Sequence, residues 1–138
     1  MKKPIVELKL PIIPNMELIA TQTAEVISRH MDLSDDQSSE ISMAIIEACI
    51  NAFEHSKADN NVFIHFIIEE ASLVIKVIDQ GIGFDKTNVE IPKIENKIGT
   101  NERKRGWGLK LIQELMDSVE FESNEEGTTV TMKKNINK

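Results

Sequence analysis

Tyrosine is absent from this 138-residue sequence, tryptophan occurs once, and aromatic residues make up 4% of it. So few ring faces leave little on which nucleobases can stack. The formal net charge of −7 also opposes generic binding to a polyanion. No nucleic acid is therefore expected as a direct partner. Cysteine is nearly absent too: Cys49 stands alone, which excludes an internal disulfide, and no Cys/His cluster has the spacing of a metal site. With four prolines and six glycines there is no collagen-like repeat and no Gly/Ser linker dividing the chain. No apolar run approaches the ~20 residues that cross a bilayer, and the N-terminus lacks the apolar stretch of about 7–15 residues that marks a secretory signal. The expectation is a cytoplasmic protein that makes no contact with membranes. What is present is ordinary for a globular chain, at 41% apolar and 28% charged residues. A chain of this length buries about 68–70% of its unfolded surface, enough for one core. Residues 1–138 are read as a single domain.

The patterning gives an element order of β-α-α-β-β-loop-α-β-β. Ile5 to Ile13 alternates loosely and meets Pro11 and Pro14, which suits an edge strand. Met16, Ile19, Ala20, Thr23, Ala24 and Ile27 recur at helical spacing, and Met31-Asp32-Leu33 breaks the pattern. Ser34 then reads as an N-cap with Asp35 and Asp36 in the first turn. Ile41, Ala44, Ile45, Ala48, Cys49, Ala52 and Phe53 define the clearest helix, which Met43, Ile46 and Ile50 widen beyond one stripe. Such a helix is expected to be covered on more than one side. Val62–Ile68 and Leu73–Ile78 predict a hairpin of central strands, since neither run alternates cleanly. Residues 84–105 lack periodicity and form a loop of unusual length, of the kind that is commonly functional. A helix is predicted from Gly106 to Asp117, and two strands around Asn124 to Gly127 close the chain. The fold class is α+β, a two-layer α/β sandwich with a mixed, mostly antiparallel sheet and helices on one face.

Three segments carry candidate chemistry. Glu47, Asn51 and His55 are spaced four apart, which places them in one slanting row on a helix. Glu and Asn on a helix are ordinarily solvated. These two, however, sit among Ile46, Ala48, Cys49, Ile50 and Ala52, where a polar side chain needs a hydrogen-bonding partner or a cation. His55 reads as a capping or core-satisfying residue. Asp79 ends a strand and precedes Gly81 and Gly83, a pattern equally compatible with a plain turn. Gly106-Trp107-Gly108-Leu109 follows Lys104 and Arg105, where two glycines and the amides of a helix start suit an anion. Residues 93–110 hold six Lys/Arg against two Glu, a local +4 in a chain of −7.

Together the three segments resemble the GHKL ATPases. Glu47 to His55 matches the N box (E-x-x-x-N-A-x-x-H), Asp79-Gln80-Gly81-Ile82-Gly83 the G1 box, and Gly106-Trp107-Gly108-Leu109 the G2 box. They fall in the family's order, with a lid-sized loop before the last, and Gly127-Thr128 matches the terminal Gly-Thr. The length and the stretch Leu111 to Asp117 are similar to the anti-sigma-factor serine/threonine kinases of bacteria, and the likeness spans about residues 5–134.

That resemblance implies a Bergerat (histidine-kinase-like) ATPase fold with ATP and Mg²⁺ as cofactors. It implies Glu47 as general base and Asn51 as the protein's ligand to Mg²⁺. Asp79 would accept a hydrogen bond from the adenine amino group, with Thr128 behind it, and Gly81 and Gly83 would let the backbone pass the base. Gly106 and Gly108 would present amides to the phosphates, with Trp107 and Leu109 beside them. Family members commonly carry Arg two residues before the first G2 glycine; here Lys104 holds that place and Arg105 follows, so either is implied at the γ-phosphate. The implied activity is phosphorylation of a STAS-type anti-anti-sigma protein by a homodimer that also binds a sigma factor. Two other readings stay open at this point: the detached catalytic domain of a histidine kinase, and a non-catalytic module that binds a partner in a nucleotide-dependent way.

Overall fold

The computed structural model describes residues 3–56, 61–79, 101–124 and 127–136, with the backbone course alone for 101–107. The elements are β1 (Ile5–Pro11), α1 (Glu17–His30), α2 (Asp35–His55), β2 (Asn61–Ile68), β3 (Ser72–Asp79), α3 (Asn101–Leu115), β4 (Ser118–Asn124) and β5 (Gly127–Asn135). The strands form one sheet in the order β1-β2-β3-β5-β4, and every pairing is antiparallel. β1 lies at an edge, where Pro11 removes no ladder bond that a central strand would need.

The near-continuous apolar runs of β2 and β3 resolve into alternation once the layers are seen. Val62, Ile64 and Phe66 of β2 and Leu73, Ile75 and Val77 of β3 are buried under the helices. Phe63, Ile67, Val74 and Ile78 are only half-buried, on the face that no helix among the described residues covers. Both strands are central, as their composition suggests, yet only one face lies in the core.

α2 is the pivot of the helical layer. It packs against α1 on one side, α3 on another and the sheet beneath, which explains its wide apolar surface. Ile41, Ala44, Ile45, Ala48, Cys49 and Ala52 are buried, while Met43 projects outward at 49% exposure. Its start is fixed as expected: the Ser34 hydroxyl accepts from the Gln37 amide at 3.1 Å, and the Gln37 side chain accepts in return from the Ser34 amide, closing a capping box. The α1–α2 break is a Schellman turn, with Leu33 N–H donating to Ser28 O and Asp32 N–H to Arg29 O. Asp32 takes the left-handed conformation (φ 58°) that reverses the chain.

Two expectations are corrected. Ile19 was placed on the core stripe of α1 but is 42% exposed. The stripe runs through Ala20, Ala24 and Ile27, and Ile19 lies one ~100° step off it. The helix predicted from Gly106 begins at Asn101. Glu102, Arg103, Lys104 and Arg105 are all good helix formers, and that propensity extends the helix into the segment read as loop.

Candidate active site

Glu47 and Asn51 lie one turn apart on the C-terminal half of α2, and both are half-buried. The Asn51 Oδ1 atom is shut away from solvent with no hydrogen-bond partner among the described residues. A buried carbonyl oxygen without a donor costs roughly 1–3 kcal/mol, so this atom is available to a partner beyond the described residues or to a cation. Glu47 meets α3 where that helix carries glycine. A Cβ built at Gly108 would stand 3.1 Å from Glu47 Oε2, closer than most real Cβ contacts. The absent side chain is what lets the α3 backbone approach the carboxylate. Leu109, the next residue, is buried at 7% exposure.

A second cluster forms where β3 and β5 run side by side. Asp79, the last residue of β3, is 6% exposed and stands directly opposite Thr128 of β5 in the antiparallel register. The Thr128 hydroxyl lies 3.2 Å from that of Ser123 on β4, so a small polar row crosses three strands. Ser123 was not singled out from the sequence. Its only signal there is its place five residues before Thr128 across a tight turn, in register with it.

The structure thus joins Glu47 to Gly108 and Asp79 to Thr128, and it leaves the buried Asn51 oxygen without a partner among the described residues. Gly81, Gly83 and residues 84–100 of the expected lid lie outside the described residues, as do the side chains of Lys104, Arg105 and Trp107. One expectation changes in form. Gly106 and Gly108 are within α3 rather than at its start, and only the first four amides of a helix lack an internal acceptor. In this conformation their amides belong to the helical ladder.

The histidine kinase-like ATPase domain family matches over residues 14–134, and the chain belongs to that family. Its relatives are more specific still. Serine-protein kinase RsbW of Bacillus velezensis is 33% identical over 138 residues, covering 96% of this chain and 86% of that protein. The RsbW serine-protein kinase of Bacillus licheniformis is 35% identical over 140 residues, with the same shares covered. Among the histidine kinase-like ATPases, the chain is a member of the ATP-dependent serine-protein kinases. Solved structures agree on the fold. The RsbU and RsbW domains of a Mycobacterium tuberculosis protein superimpose with a TM-score of 0.71 at 17% identity, over 96% of this chain and 32% of that one. A blue-light activated histidine kinase of Erythrobacter litoralis gives 0.61 at 17% identity, over 87% of this chain and 41% of that one.

Proposed function

We propose that the chain binds ATP with Mg²⁺ and transfers the γ-phosphate to a serine, less often a threonine, of a small STAS-type anti-anti-sigma protein. The single observation that carries the reading is the buried Asn51 oxygen, without a partner among the described residues, one turn from the Glu47 carboxylate that Gly108 approaches. An amide oxygen is a suitable hard ligand for Mg²⁺, which takes few protein ligands and fills its shell with water and phosphate oxygens. Among the described residues no group of three His, Cys, Asp or Glu could cage a metal, which fits a cation that arrives with the nucleotide. Bound there, the cation would neutralise charge developing on the phosphates.

The other roles are those that the resemblance to the GHKL ATPases implies. Glu47 accepts the proton of the attacking hydroxyl, as a general base must when the nucleophile is a neutral serine. Asp79 reads the adenine amino group, with Thr128 opposite it, while Gly81 and Gly83 let the backbone pass the base. Lys104 or Arg105 neutralises the γ-phosphate, and Trp107 and Leu109 flank the phosphate segment. For Gly106 and Gly108 to offer amides to phosphate, the turns of α3 ahead of Leu109 uncoil when nucleotide arrives. Phosphoryl transfer relies on such positioning and charge more than on covalent chemistry.

The same protein is proposed to bind a sigma factor and to work as a homodimer. The uncovered sheet face, with Phe63, Ile67, Val74 and Ile78 half-exposed, is an apolar surface of the kind a second protein covers. Phosphorylating the antagonist then decides which partner is held, a competition set by nucleotide state.

The test is label transfer from γ-labelled ATP to a STAS-type protein, by the wild type and by Glu47→Ala. Acid-stable label that disappears in the variant is expected. Acid-labile label would indicate histidine phosphorylation instead, and undiminished transfer by the variant would reassign the base. If ATP with Mg²⁺ leaves the melting temperature unchanged, the chain is a non-catalytic module, since a ligand of the folded state stabilises it by mass action.

A further inference from the structure

β5 presents Thr128, Val130, Met132 and Lys134 in alternation to the helical layer, and all four are buried. A lysine therefore occupies a position where the strand pattern calls for an apolar side chain. Its side chain is 7% exposed, and its ammonium has two partners on two helices. The Nζ donates to the carbonyl of Leu115, the last residue of α3, at 2.6 Å, and pairs with Glu40 of α2 at 3.0 Å. The strand end that holds it is itself clamped. Asp117 N–H donates to Lys133 O, Asn135 N–H to Asp117 Oδ2 at 2.6 Å, and Gln37 Nε2 to Asn135 O at 2.8 Å.

The ammonium is buried while its Glu40 partner is 42% exposed, and replacing buried ionic groups by apolar residues of similar volume is often neutral or stabilising, so stability alone is a weak reason for such a lysine. Its place in the helix register supplies a better one. Glu40 precedes Glu47 on α2 by seven residues, and Leu115 follows Gly108 on α3 by seven. Each span is two turns, about 10.5 Å. α2 and α3 therefore run in opposite directions and are pinned at two matched levels. One is the Glu47–Gly108 approach, and the other is the Lys134 ammonium between Glu40 and the end of α3. Removing the second pin leaves α3 free to slide along α2, and any slide is carried directly to Gly108.

We infer that Lys134 is a positioning residue for the nucleotide site: it fixes the axial setting of α3 on α2, and so the distance between the glycine segment and the pair Glu47 and Asn51. The inference rests on the kinase reading above. Glu47 and Asn51 share α2 and keep their mutual geometry whatever α3 does. Loss of the pin therefore weakens nucleotide binding more than it slows transfer from bound nucleotide.

The experiment compares wild type, Lys134→Met and Lys134→Arg by equilibrium MgATP binding, steady-state phosphotransfer and the emission of Trp107, the only tryptophan, which lies beside Gly108. Lys134→Met is expected to raise the Kd and KM for ATP about tenfold, to lower kcat less than threefold, and to shift the Trp107 emission of the folded protein. Lys134→Arg, which keeps a cation in the slot, restores all three to within about threefold. ATP affinity and emission equal to wild type in Lys134→Met would overturn the inference, whatever happens to its melting temperature. Should Lys134→Met fail to fold, Glu40→Ala loosens the ammonium without emptying the buried slot. A three- to fivefold rise in Kd for ATP is then expected, and an unchanged Kd overturns the inference. A wild type that binds no ATP would instead sink the kinase reading itself, so the two failures are distinguishable.

Discussion

Gly108→Ala separates what the fold needs from what the site needs. Gly108 lies in the interior of α3, where glycine is about 0.5–1 kcal/mol less favourable than alanine. Opposing that gain, the new methyl group would stand 3.1 Å from Glu47 Oε2, a few tenths of an ångström inside ordinary contact. The atom it meets is the far end of a flexible, half-buried side chain, so a small χ rotation relieves the crowding at an expected cost of about 0.5 kcal/mol. The net effect on stability is between zero and roughly +0.5 kcal/mol, a rise in Tm of up to about 2 °C for a chain of this length. Activity moves the other way. A base displaced by a few tenths of an ångström, on a helix now reluctant to uncoil, should lose about tenfold in kcat/KM. Thermal denaturation by circular dichroism and phosphotransfer at saturating MgATP measure the two effects. Adding Glu47→Ala completes the cycle. With the carboxylate gone the methyl meets nothing, so Gly108→Ala in that background should gain the full helical increment of about 0.5–1 kcal/mol. A Tm that falls by several degrees in the single variant, or full activity retained in it, refutes the reasoning.

Three further outcomes are expected. Asn51→Leu removes a buried oxygen that has no partner among the described residues, so Tm should hold or rise while the Tm increment produced by MgATP disappears; calorimetry with and without MgATP decides. Burial, aided by the Glu17 carboxylate, pushes the Cys49 thiol up to about 12. Between pH ~9 and ~12 the unfolded chain gives up this proton and the folded chain keeps it. Stability should therefore fall by up to ~1.4 kcal/mol per pH unit, a slope that denaturant titrations should show reduced in Cys49→Ala. Gln37→Ala breaks both the capping box and the bond to Asn135 O, and a loss of about 1–3 kcal/mol in urea unfolding is expected.

The helical layer was the most legible part of the fold. The period of Ile41, Ala44, Ile45, Ala48 and Cys49 defines α2, and Ser34 followed by Asp35 and Asp36 announces its start, because capping and amphipathic spacing are local properties. The one-sided burial of β2 and β3 was hidden, since Phe63, Ile67, Val74 and Ile78 are as apolar as the residues facing the core. The start of α3 was misplaced because two glycines suggested a helix boundary, whereas the tract from Glu102 to Arg105 favours continued helix. Of the candidate site, helical spacing brought out Glu47 and Asn51, whereas Asp79 stood out only through the resemblance to the G1 box. The facing of Asp79 with Thr128 and the approach of Gly108 to Glu47 are non-local and depend on strand order and helix packing. Lys134 gave no signal at all, since a lysine in a terminal Lys-Lys pair reads as solvated surface until the register turns it inward.

The central claim is that Asp79, Asn51 and Glu47 form one adenine-nucleotide site, and equilibrium binding of MgATP and of inosine triphosphate, which lacks the adenine amino group, tests it most directly. The wild type should bind MgATP at least tenfold more tightly than the inosine analogue, and Asp79→Asn should abolish that preference. Equal affinity of the wild type for the two nucleotides, or a preference that survives Asp79→Asn, would contradict it.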